Sequence, residues 1–202
     1  MDRRIKNIIF DFGGIIVDLD KQAAVRAFDE IGFDTASYIR DYVQEGIFAS
    51  LESGDISPEF FYDYVRSKAG RHIEDSVISQ AWNRMLVAIS PSRLQFICHL
   101  RTKFRVFMLS NTNVIHWNYS CSELASSIGY RMEDCFDGIF LSYRMHLTKP
   151  DVRLFHAVQT EASLLAEETL FIDDSVENCK VAESIGFQVF HSRCPEDWFT
   201  LF

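Results

Sequence analysis

The sequence predicts an α/β protein: a doubly wound, Rossmann-like parallel sheet forms the core, and an all-helical domain is inserted after the first strand. Three observations carry this. Short apolar runs recur at Ile8-Ile9-Phe10, Val106–Leu109, Gly138–Leu141, Thr169–Ile172 and Phe187–Phe190, each of strand length. Helix start and stop signals lie between the later runs, and alternation of strand with helix implies a parallel sheet. The interval from about Asp20 to Ile89 breaks that alternation, with helical periodicity and no convincing strand. At 202 residues, 48% of them hydrophobic, the chain can bury a full core.

Taken in order, Ile8-Ile9-Phe10 is apolar on both faces, as expected of a strand covered by helices on each side. It ends at Asp11, and Gly13-Gly14 follows, where the backbone can turn sharply or approach a ligand closely. The core is expected to comprise residues 1–18 and 90–202, and the insert residues 19–89. Asp20 reads as the N-cap of the first insert helix. A later insert helix has Ser57 as N-cap, Pro58 at its first position, and Phe60, Phe61, Tyr64 and Val65 on one face. Ser90-Pro91 repeats that signal and begins the next core helix. Pro150-Asp151 opens a helix to about Leu165, and Ser175 opens another that closes at Gly186.

A formal charge of −9 and a pI near 5.1 argue against a nucleic-acid binder, which must neutralise many phosphates with Lys and Arg. No apolar run approaches the roughly 18 residues of a membrane span. The five cysteines are scattered without a CxxC pair, and the apolar segment in MDRRIKNIIFDFGG is too short for a signal peptide, so a reduced cytoplasm is expected. The composition leaves monomer and homodimer open. The six histidines show no metal-ligand spacing, and Asp11-Phe12-Gly13 matches a kinase triplet without the other kinase elements.

Polar residues of one kind follow three of the strands: Asp11, Ser110-Asn111 and Asp173-Asp174. The carboxyl ends of the strands form the ligand crevice in open α/β sheets, so these residues should converge there. Lys149, in HLTKPD, precedes a helix N-terminus, where the helix dipole gives a cation nothing. Carboxylates suit a hard cation such as Mg²⁺, whereas a hydroxyl, backbone N–H groups and a lysine suit a phosphate.

DFGGIIVD, LSNTN, KPD and FIDDSVENC resemble, in order and place, the motifs of the haloacid dehalogenase superfamily, over essentially the whole chain. The insert resembles that superfamily's helical C1-type cap, and the motif combination is most similar to its bacterial α-glucose-1-phosphate phosphatase branch. The resemblance implies a Mg²⁺-dependent phosphatase acting on a small phosphorylated metabolite. Asp11 would be the nucleophile that becomes an aspartyl phosphate, which water then hydrolyses. Mg²⁺ would be bound by Asp11, the backbone carbonyl of Gly13 and Asp174, with Asp173 acting directly or through water. Ser110 and the Asn111 amide would hold the phosphoryl oxygens, and Lys149 would neutralise charge at the nucleophile and in the transition state.

One position departs from that pattern. Most phosphatases of the superfamily carry a second aspartate two residues after the nucleophile, which protonates the leaving group, and here that position is Gly13. General acid catalysis is worth about 10²- to 10⁴-fold in rate. Its loss suits a leaving group that needs little protonation, such as the anomeric oxygen of a sugar 1-phosphate. An aspartate at Gly13 should restore the acid, provided it is compatible with a positive φ there. Asp18 and Asp20 are the nearest candidate replacements, but they read as an ordinary carboxylate and a helix cap. The dehalogenase branch also lacks the second aspartate, but its fourth motif resembles SSN, whereas FIDDS keeps two acids. A non-catalytic binder of a phosphorylated metabolite or a protein partner is the remaining alternative. The insert is expected to close over the substrate on hinges near Val17 to Asp20 and near Ser90.

Overall fold

A computed structural model of the chain describes residues 4–35 and 46–202. The first three residues of the N-terminal stretch and the part of the insert from 36 to 45 lie outside the described residues. The strands, numbered along the chain, are β1 (Asn7–Phe10), β2 (Val17–Leu19), β3 (Leu86–Ile89), β4 (Arg105–Ser110), β5 (Gly138–Leu141), β6 (Thr169–Asp173) and β7 (Gln188–His191). Five of them form a parallel sheet in the order β5-β4-β1-β6-β7.

Register explains why Ile8-Ile9-Phe10 of β1 is apolar on both faces. Ile9 lies between Phe107 and Phe171, and Ile8 between Val106 and Leu170. Alternate residues point to opposite faces of a strand. Ile8, Phe10, Met108 and Ile172 therefore join one core with Leu94 and Ile97 of the helix Pro91–Leu100, while Ile9, Phe107 and Phe171 join another with Leu154, Phe155 and Val158 of the helix Val152–Glu161. Helices thus cover both faces of the sheet, as the sequence predicts.

Those helices follow, in the described chain, α1 (Lys21–Glu30), α2 (Ile47–Glu52), α3 (Pro58–Ala69) and α4 (Asp75–Asn83) of the insert. The core contributes α5 (Pro91–Leu100), α6 (Val114–Tyr119, extended by a π turn through Ala125), α7 (Met132–Cys135), α8 (Ser142–Met145), α9 (Val152–Glu161) and α10 (Val176–Ser184). Asp20, Ser57, Asp151 and Ser175 each accept a backbone N–H of the first turn they precede. The insert gathers its own apolar cluster of Phe28, Phe33, Phe48, Phe61 and Trp82, which Ile115 of α6 joins from the core.

Several expectations need correction. The insert is not all helical, because β3 pairs antiparallel with β2 as a two-stranded ribbon, Val17 opposite Ile89. Leu86-Val87-Ala88-Ile89 is apolar at every position yet exposed at its centre, so neither alternation nor a buried-strand pattern announces it. Phe60 is 56% exposed while Phe61 and Val65 are buried, so the expected apolar face of α3 is narrower. Helix α9 stops at Glu161, and Ser163 then takes a left-handed φ of 53°. Ser90 precedes Pro91 as expected, but its hydroxyl meets Ser92 Oγ and caps no backbone N–H.

Candidate active site

The ends of β1, β4 and β6 bring Asp11, Ser110, Asp173 and Asp174 together, and the loop before α9 adds Lys149. Lys149 Nζ lies 2.7 Å from Asp11 Oδ1 and 2.7 Å from Asp173 Oδ2, buried to 4% exposure. Burial by itself would push its ammonium toward the neutral form, but Asp11 and Asp173 outweigh that and hold its pKa above the usual lysine value. Asp173 is fully buried, and its oxygens also accept from Ser175 N at 2.8 Å and from Asn178 Nδ2 at 3.0 and 3.1 Å. Its acceptor positions are thus spent on the protein, and Asp174 is the acid that faces the cavity.

The side chain of Asn111 holds the lysine loop. Its side-chain Nδ2 donates to the carbonyl of Lys149 at 2.9 Å, and its Oδ1 accepts the Lys149 N–H at 2.8 Å. The carboxamide fixes the lysine loop through its oxygen and one of its two N–H donors, and Asn111 itself lines the cavity. Ser110, buried at the end of β4, lines the cavity.

Ligand oxygens of Asp11, Asp173 and Asp174 lie within 4.8 Å of one another. Burial pushes the Asp11 carboxyl well above the usual carboxylate range; Lys149 opposes the rise, and Asp173 and Asp174 add to it. Asp174 is raised by burial and by Asp173. Three acids around one lysine leave an excess of negative charge, which a divalent cation bound to carboxylate oxygens would neutralise, so the donor set fits Mg²⁺. Gly14 makes room for this cluster. It has a φ of 72°, and a Cβ there would stand 2.3 Å from Asp174 Oδ2. The positive φ belongs to Gly14 and not to Gly13, where a Cβ would meet only the end of the Leu19 side chain at 3.0 Å.

A cavity of about 120 Å³ opens above these strand ends, lined by Asp11, Gly13, Ser110, Lys149 and Asp174 from the core. Leu19, Lys21, Glu52, Met85 and Leu86 line it from the ribbon and the insert. Glu52 has no precedent in the sequence reading, since it ends a short helix without motif or spacing to mark it. Burial raises its carboxyl to a pKa of about 7, against the pull of Lys149 and Lys21. The turn that carries it is docked on the core: Ser142 Oγ donates to the carbonyl of Glu52 at 2.7 Å, and His146 Nδ1 meets that of Ser53 at 3.1 Å. The two nearer candidates are occupied elsewhere. Asp18 accepts from Arg93 at 2.7 Å, and Asp20 caps α1 and pairs with Arg26.

Comparison with known proteins gives the family. A family model for haloacid dehalogenase-like hydrolases matches residues 5–186. A D-ribitol-5-phosphate phosphatase of Bacteroides thetaiotaomicron is 36% identical over 195 residues, 96% of this chain and 95% of that protein. A solved haloacid dehalogenase family enzyme from the same organism, an aspartate-to-alanine variant in complex with magnesium and inorganic phosphate, superposes with a TM-score of 0.94 at 38% identity, covering 98% of both chains. A haloacid dehalogenase-like hydrolase structure from Porphyromonas gingivalis gives 0.89 at 31% identity, covering 98% of this chain and 96% of that one. With a matching family model, relatives of this identity and the motif residues gathered at the strand ends, the chain belongs to the haloacid dehalogenase-like hydrolases.

Proposed function

We infer that the protein is a Mg²⁺-dependent phosphatase that cleaves a small phosphorylated metabolite through an aspartyl phosphate on Asp11. The observation that carries this is the buried Lys149 bridging Asp11 and Asp173 at 2.7 Å each, with Asp174 on the same cavity. Mg²⁺ would be held by Asp11, the carbonyl of Gly13 and Asp174, with the buried charge of Asp173 behind them, and would offset charge on the phosphoryl oxygens. Asp11 attacks phosphorus and the bond to the bridging oxygen breaks. Lys149 neutralises charge beside the nucleophile, and Ser110 with the backbone N–H of Asn111 holds the phosphoryl oxygens. Water then releases phosphate and restores Asp11.

The relative named for D-ribitol 5-phosphate supports a small polyol phosphate as the substrate class. A sugar 1-phosphate is the second reading, favoured by Gly13 standing where an acid is expected. The free, scattered cysteines support a reduced, cytoplasmic setting, and no helix among the described residues is long and apolar enough to cross a membrane. The test is phosphate release from a panel of polyol and sugar phosphates with Mg²⁺ and with EDTA. Release with Mg²⁺ that is lost in Asp11→Asn supports the reading, and a panel with no turnover in Mg²⁺ overturns it.

A further inference from the structure

We propose that Glu52, carried over the site by the insert, is the general acid that protonates the departing alcohol in place of the aspartate missing at Gly13. The proposal rests on the phosphatase reading above and adds the proton donor that reading lacks.

The geometry comes first. Glu52 lines the cavity that holds Asp11, Lys149 and Asp174, and it comes from α2 of the insert, not from the strand ends that supply the nucleophile. A phosphoryl group on Asp11 places its leaving oxygen on the far side of phosphorus from the attacking carboxylate, which is toward the insert. The position of Glu52 is built. Besides the contacts from Ser142 and His146, Gly54 is pressed so close to the core that a Cβ would stand 2.1 Å from the carbonyl oxygen of Tyr143. Burial and the charges of Lys149 and Lys21 govern whether the Glu52 carboxyl holds its proton.

The charges facing it are Lys149, Lys21, Asp11 and Asp174, and His116 also lines the cavity. Burial outweighs the two lysines and puts the carboxyl near pKa 7, so a large share is protonated at neutral pH. A phosphate dianion entering the same cavity disfavours the ionised form further. In the first step Asp11 bonds to phosphorus, the bond from phosphorus to the bridging oxygen breaks, and the Glu52 proton passes to that oxygen to give the free alcohol. In the second the Glu52 carboxylate takes a proton from the water that attacks the phosphoryl group, and protonated Glu52, ionised Asp11 and inorganic phosphate result.

The test compares kcat/KM of the wild type and Glu52→Gln on a poor leaving group, ribitol 5-phosphate, and on a good one, 4-nitrophenyl phosphate, in saturating Mg²⁺. Glu52→Gln should lose about 10²- to 10⁴-fold on the alkyl ester and far less on the aryl ester. Glu52→Asp should retain more alkyl turnover than Glu52→Gln, and the fall in alkyl kcat/KM at alkaline pH that marks the acid should vanish in Glu52→Gln. Gly13→Asp combined with Glu52→Gln should recover alkyl turnover by placing an acid where the superfamily keeps one. Equal losses on both esters in a folded Glu52→Gln protein overturn the proposal and leave the phosphatase reading standing. A wild type inert toward both esters overturns the reading itself.

Discussion

Replacing Gly14 by alanine tests how the backbone makes room for the acids. The added Cβ would lie 2.3 Å from Asp174 Oδ2 and 3.0 Å from its Cγ, whereas ordinary contact begins at 3.4 Å, so the carboxylate must retreat by about 1 Å. Alanine must also accept a φ of 72°, a left-handed conformation that costs roughly 1 to 2 kcal/mol. In a protein of this size that strain lowers Tm by a few degrees. The displaced carboxylate has the larger effect, because Mg²⁺ demands near-ideal octahedral geometry and tolerates little movement of its ligands. We expect Mg²⁺ affinity to fall by about 10- to 100-fold, as when ligand-supporting contacts are lost. Gly129→Ala is the control: its φ is 82°, but nothing lies within 4 Å of the added Cβ. Calorimetric Mg²⁺ titration and thermal melts of the two variants separate backbone strain from the clash. Equal Mg²⁺ affinities in Gly14→Ala and the wild type, or an equal loss in Gly129→Ala, would show that contact between Gly14 and Asp174 does not shape the metal site.

Four further outcomes follow from the same geometry. His116 stacks on Trp82 at 4.4 Å, and burial lowers its pKa to about 4, while its contact with the Trp82 carbonyl opposes the shift. The unfolded chain then binds the proton more readily, so the stability from neutral His116 is full above about pH 6.5 and is lost as pH falls toward 4, by roughly 3 kcal/mol in all. Denaturant melts across that range should show a shallower acid slope in His116→Gln, and an unchanged slope contradicts the assignment. Asn111→Ala removes both side-chain bonds to the Lys149 backbone and should lower kcat by up to about 100-fold through misplacement of the lysine; wild-type kcat in that variant would argue against it. Gly54→Ala should lift the turn bearing Glu52 off Tyr143 and reproduce the alkyl-selective loss of Glu52→Gln, whereas unchanged alkyl turnover would mean that the docking does not position the acid. The β2–β3 ribbon, where the chain enters and leaves the insert, should act as the hinge on which the insert closes over substrate. Structures with and without a phosphate mimic that show the same placement of the insert would end that idea.

Local signals carried much of this architecture. Asp20, Ser57, Asp151 and Ser175 cap their helices because capping depends on residues three or fewer apart, and the apolar runs became strands because both faces of the sheet are covered. The motif residues Asp11, Lys149, Asp173 and Asp174 stand together for the same reason: the carboxyl ends of parallel strands share one edge. The β2–β3 ribbon stayed hidden because Val17 meets Ile89 only after the whole insert has folded between them. Asn111 and Glu52 were hidden by the same kind of distance. One depends on where the Lys149 loop runs, and the other on a turn docking against Ser142 and His146. The φ at Gly14 rather than Gly13 is likewise set by the turn that closes on Asp174.

Covalent transfer of phosphate to Asp11 can be seen by an acid quench within the first turnover, followed by mass spectrometry of the peptide containing Asp11. With ribitol 5-phosphate and Mg²⁺ a phosphoryl group should be found on Asp11, absent in EDTA and in Asp11→Asn. Turnover at the wild-type rate by Asp11→Asn, or a phosphoryl group on another residue, would contradict it.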